Sequence, residues 1–382
     1  MGKKLRVGVI FGGRSGEHEV SIASAASVIA ALDKDKYEIV PIGVTQEGRW
    51  LAGVEPLRLT QGATMEEDAA AHTDVQAVTI TGDPTQRGLI PANPTADAEA
   101  DARVSRPFDI VLPVLHGTYG EDGALQGLLE MADVPYAGCG VLGAALGMDK
   151  EKAKMVFRSA GLPTVDWLIV RRHEFEHDRE AVAARIEARF PYPVFTKPVN
   201  LGSSVGVSKA HDHAALLKAL GLALEFDRRA IIEPAVNCRE LECGVLGNDQ
   251  PQASVVGEVV PNREFYDYRA KYLDNASRLY IPADLAAETA ANVRSMAVDA
   301  FLALDLSGLA RVDFFLDRDN GALYVNEVNT MPGFTQISMY PKLWEASGVP
   351  YPELLDRLIQ LGLERHQEQR RNRTAFDPDA EA

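Results

Sequence analysis

The segment Arg311-Val312-Asp313-Phe314-Phe315 is separated from Asn326-Glu327-Val328-Asn329 by Asp317-Arg318-Asp319-Asn320-Gly321, a turn-rich sequence between two β-type runs. Side chains alternate faces along a strand, so Arg311 and Asp313 share one face, as do Glu327 and Asn329. With the turn centred on Asp319, residue 313 is expected opposite 325 and residue 311 opposite 327. Both polar sets then fall on one face of a hairpin, while Val312, Phe314, Leu316 and Val328 supply an apolar face for a core. Charged strand residues most often form a solvated salt bridge. Here the surrounding Phe, Tyr, Val and Leu predict a buried setting, where charges need partners or metals. Two carboxylates and an amide offer the oxygen ligands of a hard divalent cation. The neighbouring arginine points to an anionic companion, and phosphate is the usual one.

A chain of 382 residues is too long for one ordinary core, which implies two or three domains. An apolar content of 46% and a charged content of 25% are those of a water-soluble globular protein. No apolar run approaches the ~20 residues of a membrane span, and the N-terminus has no secretion-signal pattern. Cys139, Cys238 and Cys243 lack metal-ligand spacing and fit a reducing cytoplasm. A formal net charge of -16 argues against general nucleic-acid binding.

The first part of the chain alternates strand and helix patterns. Strands are expected at 5–11, 37–44 and 108–115, with helices at 19–32 and 124–131, giving an open parallel α/β sheet. Residues 83–106, rich in Pro, Ala, Asp and Thr, read as a surface insertion. A helix at 149–160 opens a small α+β unit with strands at 165–170, 193–197, 206–210 and 230–233. A third unit follows, with strands at 240–246 and 253–260, a long polar-aromatic loop at 261–282, a helix at 287–304, the hairpin and a helix at 351–363. The expected division is 1–148, 149–236 and 237–365, with a frayed tail over 366–382.

Three loops bear on chemistry. Pro198-Val199-Asn200-Leu201-Gly202-Ser203-Ser204-Val205-Gly206 follows Lys197 at a strand end, and its small residues let backbone N–H groups approach an anion. It is no Walker A loop, because no Gly-Lys-Ser or Gly-Lys-Thr closes it. Gly12-Gly13-Arg14-Ser15-Gly16-Glu17 lies at the carboxyl edge of the first sheet, where ligands of open α/β folds sit. It lacks the dinucleotide fingerprint, which disfavours a dehydrogenase. His116 stands at a similar strand end, where holding backbone is the commoner role of a turn histidine. Glu264-Phe265-Tyr266-Asp267-Tyr268-Arg269-Ala270-Lys271-Tyr272 has the length and composition of a lid.

In order along the chain stand Gly12-Gly13-Arg14-Ser15-Gly16-Glu17-His18-Glu19, His116-Gly117-Thr118-Tyr119-Gly120-Glu121-Asp122-Gly123 and Gly147-Met148-Asp149-Lys150. Then come Lys197-Pro198, Gly202-Ser203-Ser204-Val205-Gly206, Arg239-Glu240-Leu241-Glu242, Lys271-Tyr272, the hairpin and Met331-Pro332-Gly333-Phe334-Thr335. In this ordered set the chain resembles the D-alanine–D-alanine ligases of the ATP-grasp superfamily, from about residue 5 to 362.

The resemblance implies three domains, with ATP between the central and C-terminal ones. It implies that Lys150, Lys197, Ser203 and Ser204 hold phosphates, with Lys271 at the terminal one. Glu233, Pro234 and Val236 would line the adenine and Glu240 the ribose. Asp313, Glu327 and Asn329, beside Asn326, would bind two Mg2+ ions, for which Mn2+ could substitute. Glu17 and His116 would receive the first D-alanine, Ser338 and Met339 the second, and Arg311 with the Gly333 N–H the oxyanion. Glu17, Ser203 and Tyr272 would form a hydrogen-bonded set across the domains. The resemblance further implies a homodimer. Pro234 and Cys238 depart from the family pattern, which often has lysine and glycine there; proline still keeps its carbonyl for the adenine. Tyr272 favours an amino acid over a hydroxy acid as acceptor. A different acceptor, or a non-catalytic sensor on the same fold, are the competing readings; a sensor would be expected to have lost the hairpin carboxylates or Arg311.

Overall fold

The computed structural model describes residues 3–93, 98–260 and 278–373. The whole of the expected lid, Glu264 to Tyr272 with Lys271, lies outside them. The first sheet begins with β1 (Leu5–Gly12), α1 (His18–Ala31), β2 (Tyr37–Val44) and β3 (Trp50–Ala52). It continues through α2 (Pro56–Thr60), α3 (Met65–Ala71), β4 (Gln76–Thr79), β5 (Ile90–Pro91), α4 (Ala98–Val104) and β6 (Ile110–Pro113). The strand order is β5-β4-β3-β2-β1-β6. Only β2, β1 and β6 are parallel; β3, β4 and β5 add an antiparallel wing. The three strands expected from the sequence are the parallel ones, and the antiparallel wing extends the sheet beyond them. The reading of 83–106 as a surface insertion is corrected, because it supplies β5 and the fully buried Leu89. Its polar composition masked a two-residue edge strand. β1 reads Leu-Arg-Val-Gly-Val-Ile-Phe-Gly and is buried almost throughout, as a central parallel strand must be.

Helices α5 (Ala124–Met131) and α6 (Val141–Met148) lead to α7 (Lys150–Ser159), whose N-cap Asp149 accepts the Lys152 N–H. The second sheet holds β7 (Leu168–Arg171), β8 (Val194–Pro198), β9 (Ser208–Ala210) and β10 (Arg229–Pro234) in the antiparallel order β7-β10-β8-β9. It is covered by α8 (Arg172–His177), α9 (Arg179–Glu187) and α10 (His213–Phe226), and this layer has its own core around Phe175, Ile186, Leu220 and Ile232.

The third sheet contains β11 (Cys238–Gly247), β12 (Gln252–Val260), β13 (Arg278–Tyr280), β14 (Gly308–Asp317) and β15 (Leu323–Asn329), ordered β13-β12-β11-β14-β15. Helices α11 (Ala287–Ala303), α12 (Met339–Ala346) and α13 (Tyr351–Gln369) flank it. Leu354, Leu355 and Leu358 of α13 join Val7, Val9 and Leu112 in one core, so the first and third sheets are tied together. α13 runs to Gln369, four residues into the stretch 366–382 expected to fray. Its last turns carry packed side chains: Arg365 stacks 4.0 Å over Tyr136 and His366 lies 3.4 Å from Asp133.

The hairpin register also differs from expectation. Asp313 faces Glu327 and Arg311 faces Asn329, with a bulge between Asp313 and Phe314. One extra residue, Asn326, sits on β15 against the Phe314-Asp313 step. The polar residues keep a common face, because the extra residue compensates a turn set one residue later.

Candidate active site

Two adjoining clefts lie between the sheets. The first is floored by β8, the segment after β10 and the hairpin, and is lined by Lys197, Ser204, Pro234, Val236, Glu240 and Asn326 among others. The second is lined by Glu17, His116, Arg311, Asn329, Gly333, Ser338 and Met339. Lys150, Ser203, Glu242 and Glu327 border both.

Lys150 stands at the start of α7. Its Nζ donates to the Leu201 carbonyl at 2.8 Å and lies 3.3 Å from Glu327. Its position is set by buried charge pairing beneath it: Arg229 on β10 donates to Asp149 at 2.6 Å and also binds Glu151. Asp227 receives the backbone and side-chain amides of Asn200, at 2.8 and 3.0 Å, fixing the small-residue loop. In that loop Ser203 and Ser204 adopt φ of 50° and 56°, a strained left-handed conformation for serine. Ser203 Oγ donates to Glu17. Two of the three members of the expected hydrogen-bonded set are thus joined.

Glu233 faces Lys197 on one side and Lys154 on the other, both at 2.6 Å. Burial pushes its carboxyl up, but the two lysines more than reverse this and hold it at about 2. Glu233 therefore holds Lys197 in place at the edge of the first cleft, which Glu233, Pro234 and Val236 also line. Cys238 opens β11 beside this segment, and burial pushes its thiol up to about 12.

On the hairpin, Arg311 grips Asp313 with two bonds of 2.7 Å and lies 3.0 Å from Glu242. Its Nη1 edge engages no described residue. Asn329 Nδ2 donates to Asp313 at 3.0 Å. The donor set of Asp313, Glu327 and the Asn329 carbonyl oxygen suits Mg2+, which takes one or two carboxylates and completes its shell with water and phosphate. The set contains no softer ligand that would favour another metal.

His116 is buried, and both ring nitrogens bond within the protein: Nδ1 to the Met331 carbonyl and Nε2 to Ser24 Oγ, each at 2.9 Å. Burial lowers its pKa. The commoner reading of a turn histidine therefore describes what its ring does. Ser338 bonds Thr335 and precedes Met339, the first residue of α12. Glu121 accepts from Gly117 N at 2.7 Å and Met331 N at 3.0 Å; burial, with the Glu17 carboxylate nearby, pushes it up to about 8.

Sequence reasoning assigned no role to Lys154, Glu121 or Glu242. Lys154 lies one turn beyond Lys150, on the same helix face. Glu242 lies two residues beyond Glu240, on the same strand face, opposite Asp313. Those two spacings were available signals; nothing in the sequence pointed to burial of Glu121.

Comparison with known proteins places this geometry. The family described as D-ala D-ala ligase N-terminus matches residues 6–139, and D-ala D-ala ligase C-terminus matches 156–360. The chain belongs to the D-alanine–D-alanine ligase family. It is 50% identical over 372 residues to the D-alanine–D-alanine ligase of Acetivibrio thermocellus, covering 96% of this chain and 98% of that protein. It is 49% identical over 365 residues to that of Geobacillus thermodenitrificans, covering 96% and 97%. The D-alanine-D-alanine ligase structure from Coxiella burnetii superposes with a TM-score of 0.83 at 37% identity, covering 97% of each chain. The D-Ala:D-Ser ligase VanG from Enterococcus faecalis does so with 0.82 at 35% identity, covering 94% of this chain and all of that one. The ligase family has the ATP-grasp fold, as the three sheets and the cleft between the second and third show here.

Proposed function

We infer that this chain joins two D-alanine molecules into D-alanyl-D-alanine, coupled to conversion of ATP to ADP and phosphate, for peptidoglycan precursor synthesis. The observation that carries this reading is the meeting of two clefts at Lys150, Ser203 and Glu327. A nucleotide's terminal phosphate and an amino acid's carboxylate reach one point there. We assign residues 1–148 to the first amino acid, with 149–236 and 237–365 gripping ATP. The reaction is placed in the cytoplasm, in a homodimer.

A carboxylate is a poor electrophile. Its oxygen attacks the terminal phosphorus, ADP leaves, and D-alanyl phosphate forms. Lys150, Lys197 and Lys271 offset charge on the phosphates. Bound at Asp313, Glu327 and Asn329, two Mg2+ ions (or Mn2+) would supply further neutralisation of the phosphate oxygens. Glu17, fixed by Ser203, takes the ammonium of the first D-alanine, and Ser338 the carboxylate of the second. The second amine then attacks the acyl carbon and phosphate departs. The open Nη1 edge of Arg311 and the Gly333 N–H face the oxyanion. We assign to Lys271 and Tyr272, which lie outside the described residues, a part in shielding the acyl phosphate from water.

A second acceptor is favoured by one finding, the similarity to a D-Ala:D-Ser ligase. Phosphate release from Mg·ATP should require D-alanine, with the dipeptide identified by mass. D-serine and D-lactate should support less than about a tenth of that turnover, the scale on which small pocket differences discriminate. Predominant mixed product would move the acceptor assignment. ATP binding with no turnover would favour the sensor reading.

Gly202→Ala tests the placement of Glu17. A Cβ at Gly202 would lie 2.9 Å from Glu17 Oε2, closer than contact allows. The glutamate end must move, and kcat/KM for D-alanine should fall about tenfold at unchanged thermal stability, equivalent to ~1.4 kcal/mol. Unchanged kinetics would remove Glu17 from the ammonium site.

A further inference from the structure

The turn carrying Gly333 is held from the first sheet by its backbone. Met331 N donates to Glu121 at 3.0 Å, Phe334 N to Ser24 Oγ at 3.3 Å, and Gln336 N to Ser27 Oγ at 3.1 Å. The Met331 carbonyl accepts from His116 at 2.9 Å, and the Phe334 carbonyl from Tyr351 at 2.6 Å. Gly333 lies between these anchors, and its own N–H makes no hydrogen bond among the described residues.

Ser24 is fully buried and joins two of the anchors, because its Oγ also meets His116 Nε2 at 2.9 Å. The proton inventory is closed. A carbonyl only accepts, so His116 Nδ1 must carry a proton for Met331. The ring is buried, which disfavours a second proton, so Nε2 offers its lone pair. Ser24 then donates its one hydroxyl hydrogen to Nε2 and accepts from Phe334 N. We propose that Ser24 and a neutral, Nδ1-protonated His116 are positioning residues that set the Met331–Phe334 turn and so aim the Gly333 N–H, His116 acting as a brace rather than as an acid, base or charged ligand. This rests on the reading of Gly333 as an oxyanion donor. Misplacing such a donor by about 1 Å costs on the order of a hundredfold in rate.

The direct test is spectroscopic. In full-length protein with 15N-labelled histidine, the His116 ring should show a protonated Nδ1 and an unprotonated Nε2 at neutral pH. Its signals are singled out from the eight histidines by their loss in His116→Asn. Protonation at Nε2, or at both nitrogens, overturns the proposal. In kinetics, Ser24→Ala and His116→Gln should lose about tenfold to a hundredfold in kcat with the KM for ATP unchanged. His116→Asn keeps an amide donor where Nδ1 stood and should recover most of that loss; recovery no better than His116→Ala overturns the brace. A raised KM for D-alanine at unchanged kcat would keep the positioning role and sink the Gly333 donor reading alone. Unchanged kcat and KM in Ser24→Ala would overturn the positioning role itself.

Discussion

Glu327→Gln should abolish ATP turnover, by about a thousandfold or more, while the protein still folds. Glu327 faces Asp313 across the hairpin and borders both clefts. Glutamine keeps its shape and removes its charge, halving the carboxylate charge available to a divalent cation at this hairpin. Loss of charge neutralisation at a transferring phosphoryl group costs roughly 10³–10⁵ in rate. The fold should tolerate the change, because the side chain keeps about a quarter of its surface (26%) in solvent and its ion pair to Lys150, at 3.3 Å, is loose. Asp313→Asn is a poorer test: Asp313 receives both Arg311 bonds and the Asn329 amide, so that variant disturbs structure as well as metal. Phosphate release should be followed across an Mg2+ titration and again with Mn2+. Near-normal turnover at low Mg2+ would remove Glu327 from the metal site. Restoration at high Mg2+ would show weakened metal binding, with the chemical step intact.

The hairpin shows what the sequence could and could not carry. Alternation told which side chains share a face, and that part held, because face is a local property of a strand. Register depends on turn length and on a bulge, neither of which alternation reports, and it came out two residues away. The same division runs through the molecule. Tyr37–Val44 was legible from its apolar run and matches residue for residue. The three-residue and two-residue strands β3 and β5 were not, because an edge strand that short has no periodicity to read. In the two clefts, the lining includes residues singled out within glycine-rich or charge-patterned motifs. His116 was singled out at its strand end, but its partners Ser24 and Met331 lie 92 and 215 residues away in sequence, and only the fold brings them to its two nitrogens. Ser24 itself, in a helix of small residues, carried no signal.

Lys154→Met should destabilise the protein by about 3 kcal/mol and weaken ATP binding with it. Lys154 and Glu233 are almost completely buried and 2.6 Å apart, and Lys197 completes the set from the cleft side. Removing one partner of a buried pair typically costs about 3–5 kcal/mol, because the other charge stays desolvated. Lys197 remains to Glu233, which puts the cost at the lower end. It also draws Lys197 away from the phosphates, so the KM for ATP should rise. The pH dependence has a definite sign. Glu233 is held at about 2 in the fold, below the ordinary 4.5, so its contribution is fully present above pH ~4.5 and is lost as pH falls through its folded value. In Lys154→Met the carboxyl titrates higher, and the variant regains stability on protonation earlier than the parent. The stability gap measured by urea unfolding should therefore be wider at pH 7 than at pH 4. Lys154→Met with Glu233→Gln should recover most of the loss, since a neutral amide leaves no unpaired buried charge. Additivity of the two single effects to within about 0.5 kcal/mol would mean that the lysine stabilises by packing its stem, and that Glu233 relies on Lys197 alone.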